Sequence, residues 1–206
     1  MIIILQTYVQ VLVTMYRIRT LRKVMHNMEN FIITELQTPI SDEVIKSLKC
    51  GQMVHITGDI YTGRDAAHKR MVEMLEKGLE MPFEFKGNII FYAGPSPTKP
   101  GDIIGSIGPT TAGRMDIYAP ILIEKGLKSM IGKGFRQQNV IDSIVKHAGI
   151  YFAGIGGIAA LMSESVKSVE IIAFEDLGTE AIRKLKVEKF PCIVAVDYKG
   201  NDVYKR

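Results

Sequence analysis

The sequence predicts an α/β fold. From Phe31 onward, short β-branched runs alternate with segments of helical periodicity. No self-similar period of roughly 20–50 residues is present, and no interior stretch is rich enough in Pro, Gly or Ser to divide the chain. A length of 206 residues with 47% hydrophobic content suits a single core with at most a short appendage.

The elements follow in order. Phe31–Leu36 reads as a strand that turns at Pro39, and Ser41 caps a helix over Asp42–Lys49. Gln52–Thr57 is a second strand, closed by Gly58. Arg64–Leu79 reads as a helix because Ala67, Met71, Leu75 and Leu79 fall on one face. Asn88–Tyr92 and Asp102–Ile107 read as strands around the turn-rich Gly94-Pro95-Ser96-Pro97. Thr111–Lys125 reads as a helix, and Ser129–Ile131 as a strand ending in Gly132-Lys133-Gly134. Gln138–His147 is helical, with Val140, Ile141, Ile144 and Val145 as its apolar stripe. Ile150–Ala153 is a strand that runs through Gly154–Gly157 into a short Ala-rich helix. A strand over Ser168–Ala173, a helix over Glu180–Leu185, a strand over Cys192–Asp197 and a turn at Gly200-Asn201 complete the set.

The net charge of +4 carries no signal for nucleic acid. Residues 1–28 contain Arg17, Arg19, Arg22 and Lys23 and no acidic residue, which leaves 22 basic against 22 acidic residues in 29–206. Met1–Met15 is too short and too polar to span a bilayer, and its charges follow the apolar run rather than precede it, unlike a signal peptide. Two readings of residues 1–27 remain: an amphipathic interfacial helix, or a start-site artefact with translation beginning at Met28. The abrupt change of charge at Met28 favours the second.

Cys50 and Cys192 cannot by themselves form a four-cysteine zinc site or hold an iron–sulfur cluster. They read as reduced, half-buried thiols of a cytoplasmic protein.

Four constellations bear on chemistry. In Thr62-Gly63-Arg64-Asp65-Ala66-Ala67-His68 a glycine loop opens a helix, so Arg64 lies at an N-terminus that favours an anion. Its guanidinium suits a carboxylate, and His68 shares its face as a general acid or base. The bland alternative is a surface Arg64–Asp65 pair and a hydrogen-bonded His68. Gly108-Pro109-Thr110-Thr111-Ala112-Gly113-Arg114-Met115-Asp116 puts two hydroxyls before an arginine, a carboxylate cradle or else a threonine cap with a solvated Arg114–Asp116 pair. Gly132-Lys133-Gly134 lets an ammonium approach a ligand closely, or is an ordinary turn. Gly154-Ile155-Gly156-Gly157 lacks the spacing and the acidic residue of a dinucleotide fingerprint, and reads as close packing or a loop near a site. Two arginines and a lysine can bind both carboxylates of a small diacid. A Lewis acid for dehydration would have to come from a partner.

Taken in order, the first three constellations together with Tyr92-Ala93-Gly94-Pro95 resemble the β subunit, or C-terminal domain, of class I fumarases, in a wider family that includes tartrate dehydratase. The tail Gly178-Thr179-Glu180-Ala181-Ile182, Phe190-Pro191 and Val196-Asp197 is similar as well. The resemblance runs from about Met28 to the C-terminus. It implies a swivelling β/β/α domain over 28–206 and an α subunit partner whose three cysteines hold a 4Fe–4S cluster. The open iron of that cluster would bind the hydroxyl and one carboxylate of malate. It implies that Arg64, Thr111, Arg114 and Lys133 bind substrate carboxylates, and that His68 or Thr110 moves the proton. His68 is the easier to defend chemically, since a threonine needs strong activation to act as a base.

Reversible hydration of fumarate to (S)-malate is the implied activity, in a hetero-oligomer for which a dimer of αβ pairs is one arrangement, with no nucleic acid or membrane partner. Ala66-Ala67 and Ala112-Gly113 with Asp116 resemble the fumarase version rather than Cys-Arg-Asp-Val-Cys-His and Thr-Thr-Ser-Met-Arg-Met-Glu of tartrate dehydratases. Arg183 departs from the aromatic residue common in the fumarase tail. The alternatives are a tartrate or other 2-hydroxy diacid dehydratase subunit, or a non-catalytic diacid-binding module. If translation begins at Met28, the native chain has the intact mass of residues 28–206; a mass covering all 206 residues ends that reading.

Overall fold

The computed structural model describes residues 33–154 and 159–205. Both readings of residues 1–27, and Ile155-Gly156-Gly157 of the fourth constellation, lie outside the described residues. The order is β1 (Thr34–Gln37), α1 (Asp42–Ser47), β2 (Met53–Thr62), α2 (Asp65–Glu76), β3 (Ile89–Phe91), a 3-10 turn (Ala112–Met115) and α3 (Ala119–Glu124). It continues with β4 (Ser129–Gly132), α4 (Gln138–His147), β5 (Ile150–Gly154), α5 (Ala159–Ser165), β6 (Val166–Ala173), a second 3-10 segment (Glu175–Glu180) and β7 (Ile182–Val196). This is the mixed α/β class that the alternating pattern predicts.

Strands β1 to β5 lie parallel in sequence order. β7 runs antiparallel along β2 from Met53↔Ile193 to Tyr61↔Lys184, and along β5 from Tyr151↔Val196 to Gly154↔Cys192. The pairing therefore closes β2, β3, β4, β5 and β7 into a small barrel-like ring. β1 and β6 flank it, each sharing one edge of a long strand with a ring neighbour. Because β2, β3, β4 and β5 point the same way, their C-terminal ends open on one rim.

Alternation sorts the side chains of each strand into two layers. Ile89, Phe91, Ile131, Ile150, Phe152, Phe190 and Val194 belong to one buried cluster. Their neighbours Ile90, Tyr92, Met130 and Tyr151 belong to a second, with Met71 of α2, Leu122 of α3 and Val140 and Ile144 of α4. Burial on both faces explains the near-continuous apolar runs of β3, β4 and β5.

Several sequence expectations hold. Ser41 caps α1 by accepting from the Val44 N–H at 3.4 Å, and α4 spans Gln138–His147. Others are corrected. β2 does not stop at Gly58; the glycine, at φ 117°, sits in a bulge between Ile56 and Gly58 and the strand runs on to Thr62. Residues 102–107 form a loop, where Gly105 packs against the Ser96 carbonyl too closely for any side chain. The expected helix over Thr111–Lys125 is split into the 3-10 turn and α3, with Pro120 in the first turn of α3. Glu180–Leu185 is not helical: Ile182 begins the 15-residue β7, which is paired on both edges.

Phe190 is fully buried and meets Phe91 edge-on at 5.3 Å between ring centroids. Phe190→Ala therefore removes a large packed ring from the cluster, and a loss of about 3–5 kcal/mol is expected. Urea unfolding checks it; an unshifted midpoint would show that the cluster does not hold the ring closed.

Candidate functional site

The loops that leave β2, β3 and β4 meet at the common rim. Gly63 donates its N–H to the Phe91 carbonyl at 3.0 Å, which ties the Arg64 loop to the end of β3. Thr110 donates to the Tyr92 carbonyl at 2.7 Å. Lys133 donates to the Thr110 carbonyl at 3.0 Å, and Ala112 to the Lys133 carbonyl at 2.8 Å. A short parallel bridge, Thr111↔Lys133, results. Thr110, Thr111 and Lys133 are thus held by backbone hydrogen bonds across the ends of β3 and β4. Thr111 and Lys133 are exposed and Thr110 is half-buried.

Arg114 joins this group to α2. Its Nε donates to Asp65 Oδ1 at 2.9 Å, and its Nη2 lies 2.9 Å from Asp65 Oδ2. Both bland readings of these arginines therefore fail: Asp65 pairs with Arg114 rather than with Arg64, and Asp116 does not pair with Arg114. Thr111 precedes the 3-10 turn but makes no capping hydrogen bond with its side chain.

Arg64 is the N-cap of α2 in extended geometry, and its side chain is about a quarter exposed. The helix N-terminus already holds an anion, the chain's own Glu180. Glu180 Oε2 accepts from the Ala66 N–H at 2.8 Å, and Oε1 lies 3.6 Å from Arg64 Nη2.

His68 is wholly buried. Its Nδ1 lies 2.8 Å from the Arg64 carbonyl. A carbonyl only accepts, so Nδ1 carries the proton and Nε2 is left as a bare acceptor with no hydrogen-bond partner among the described residues. Burial, with Arg136 adding to it, pushes its pKa down to about 4, so the ring is neutral near pH 7. It packs edge-on against Tyr92 at 5.1 Å.

One more residue, Arg136, shapes the rim without belonging to any of the sequence constellations, and its partner Asp116 ends the second of them. Arg136 is buried, with its Nε donating to Asp116 Oδ1 at 2.7 Å and its Nη1 to the Tyr92 hydroxyl at 3.2 Å. Asp116 also accepts from the Gln137 N–H at 2.7 Å. The guanidinium lies between the faces of Tyr92 and Tyr151, and the Tyr151 hydroxyl donates to the Gly134 carbonyl at 2.9 Å. Arg136 is three residues from Lys133 and Asp116 two from Arg114, so their ion pair binds the two cation-bearing loops together. Lys133 is marked in the sequence by its flanking glycines, whereas the buried Arg136 three residues on carries no periodic or motif signal.

The two cysteines do not fit an iron–sulfur cluster. Cys192 lies inside the ring, where burial raises its pKa. Cys50 precedes β2, at the end remote from the rim, and burial with Asp197 and Asp202 pushes it up to about 11. Among the described residues, no group of three or more His, Cys, Asp or Glu could hold a metal ion. No helix among them is long and apolar enough to cross a membrane.

Comparison with known proteins bears on this arrangement. A family model described as Fumarase C-terminus matches residues 12–206, reaching into the segment that the motif resemblance leaves uncovered. The chain is 46% identical over 153 residues to "Fumarate hydratase class I, anaerobic" of Escherichia coli (strain K12), covering 73% of this chain and 28% of that protein. It is 41% identical over 177 residues to "Fumarate hydratase 2" of Leishmania major, covering 84% of this chain and 31% of that one. It is 38% identical over 167 residues to "Putative L(+)-tartrate dehydratase subunit beta" of Methanocaldococcus jannaschii, covering 78% and 86%. The chain thus spans less than a third of those two fumarate hydratases and most of the tartrate dehydratase subunit.

His68 gives stability a pH dependence. The unfolded chain binds its proton near the ordinary value of 6.5, and the folded chain only near 4. Between these values the unfolded state holds more protons, so stability rises with pH. The contribution is complete above about pH 6.5 and is lost as pH falls towards about 4, at most about 3 kcal/mol. Urea midpoints measured across this window should fall with acidity in the parent and fall less steeply in His68→Asn. Equal slopes would place His68 in water.

Proposed function

The chain belongs to the fumarase C-terminus family, and from that premise we propose that it is the β subunit of a class I-type hydro-lyase that interconverts fumarate and (S)-malate. The single observation that carries the proposal is the convergence of the Arg64, Thr110–Arg114 and Lys133 loops on one rim, where the parallel strands β2, β3 and β4 end. Open α/β sheets bind ligands outside the carboxyl ends of their strands for the same geometric reason.

In this reading Arg64, Thr111, Arg114 and Lys133 hold the two carboxylates of a four-carbon dianion. Arginine forks and a lysine point charge suit that ligand. Arg114 must exchange Asp65 for substrate, and the half-exposed pair can do so at small cost. Proton transfer falls to His68 or Thr110. His68 is a neutral acceptor beneath Tyr92, and Thr110 is the more accessible of the two.

The finer assignment of the fold as a swivelling β/β/α domain over 28–206 belongs to the same proposal. So do the cytoplasmic location and the hetero-oligomer with an α subunit. The thiolates for a 4Fe–4S cluster are assigned to that α subunit, since Cys192 is wholly buried, Cys50 precedes β2, and two cysteines are too few to hold one. When bound there, the cluster supplies the Lewis acid that activates the hydroxyl group.

A tartrate substrate is the second reading, favoured by the subunit-length match to the archaeal relative. A site for an additional hydroxyl needs a polar group to pair with it. Of Ala66, Ala67, Ala112 and Gly113, the two with exposed surface, Ala66 and Gly113, offer no such side chain, which supports fumarate over tartrate.

Reconstituted with its α subunit under anaerobic conditions, the chain should hydrate fumarate, and alone it should not. Arg114→Ala should lower kcat/KM by about two orders of magnitude or more, since a lost carboxylate clamp misplaces the substrate. Unchanged turnover in that variant would remove Arg114 from the site, and preference for tartrate would establish the second reading.

A further inference from the structure

We infer that Glu180 is a positioning residue for Arg64: it fixes the guanidinium by charge while leaving its hydrogen-bonding face to the substrate carboxylate. The inference rests on the reading of Arg64 as a carboxylate-binding residue.

The geometry separates two kinds of contact. Glu180 commits Oε2 to the Ala66 N–H at 2.8 Å, a full hydrogen bond at the first turn of α2. Its Oε1 stands 3.6 Å from Arg64 Nη2, close enough for attraction but too long for a hydrogen bond. Arg64 Nε is buried with no hydrogen-bond partner among the described residues. The guanidinium is thus tethered but not consumed. Arg114, by contrast, donates Nε to Asp65 Oδ1 at 2.9 Å and holds Nη2 2.9 Å from Oδ2.

The segment that carries Glu180 is itself pinned. Arg70 of α2 forks Asp176 through two contacts of 2.7 Å and lies 4.9 Å over the Phe174 ring. Arg183 donates to the carbonyls of Gly178 at 2.8 Å, Thr179 at 3.3 Å and Ala181 at 3.2 Å. Thr62 Oγ1 accepts from the Arg183 N–H at 3.0 Å, tying the same segment to the end of β2. A Cβ added to Gly94 would come within 2.6 Å of the Thr179 carbonyl and 3.2 Å of Arg64 Cδ. Gly94 thus packs tightly against both Arg64 and the Thr179 carbonyl of the segment, and that fit requires a glycine. Arg183, the departure from the family tail, here serves to fold the backbone that presents Glu180.

The test uses the holoenzyme with its α subunit. Glu180→Gln keeps an oxygen for the Ala66 N–H and removes only the charge. It should raise the KM for fumarate roughly tenfold with kcat within about twofold, the pattern of lost uniform binding. Thermal midpoints of parent and variant should agree, since the helix contact survives. Glu180→Ala, which loses both contacts, should show the same rise in KM and a lower midpoint. Arg64→Lys is measured beside them. If Arg64→Lys raises KM and Glu180→Gln does not, the positioning role is overturned while Arg64 keeps its assignment. A lower KM in Glu180→Gln would overturn it as well, because the carboxylate would then be a competitor for the substrate. An unchanged KM in Arg64→Lys would remove the premise and the inference together.

Discussion

Everything at the rim depends on β7 pairing with β2 and β5 at once. An open parallel sheet would fan the ends of β2 to β5 apart by its twist. Antiparallel closure bends those ends towards a common axis, so the three loops that leave β2, β3 and β4, far apart in sequence, share one opening. The ladder lies along nearly all of β2, with one shift at Ile56/Gly58. That bulge costs one local pair and increases twist, which a closed sheet of only five strands needs.

The second constraint is the buried ion pair of Arg136 and Asp116, at 0% and 1% side-chain exposure. Burial alone would lower the pKa of an arginine, but Tyr92, Asp116 and Tyr151 outweigh it and hold the charge. Such a pair is a weak stabiliser relative to apolar packing and a severe liability if broken. Its value here is registry. It fixes the 3-10 turn bearing Arg114 against the loop bearing Lys133, through one contact that neither loop could make with a flexible surface salt bridge. Arg136 Nη2 has no hydrogen-bond partner among the described residues, so the pair does not use its full donor set.

What the sequence made legible follows from range. β4, α4 and the Ser41 cap are set by neighbours a few residues apart, and the glycine-flanked cations mark turns by local chemistry. β7 was not legible over Ile182–Phe190, because Arg, Lys and Glu there favour a helix and only pairing with β2 and β6 overrides them. Glu180 caps a residue 114 positions away, and Arg136 pairs across 20. No periodicity encodes such contacts. The ordered motifs mark Arg64, Arg114 and Lys133, but the partners that orient them come together only in the folded chain.

Those partners change what the cation cluster is. Arg64, Arg114 and Lys133 do not face water as three bare charges, since Glu180 and Asp65 stand beside the two arginines. Like charges gathered at one opening repel, and an internal carboxylate beside each arginine relieves that repulsion before any ligand arrives. The relief is unequal. In the proposed role, Arg64 would receive a carboxylate without giving up a hydrogen bond to Glu180. Arg114 must first release Asp65, with which it shares one hydrogen bond and a second close contact. On the proposed reading, a dianion bridging the two would gain fully at Arg64 and only by exchange at Arg114. The two halves of the rim are thus unequal in charge pairing, and on the proposed reading an asymmetric diacid would meet two unlike partners.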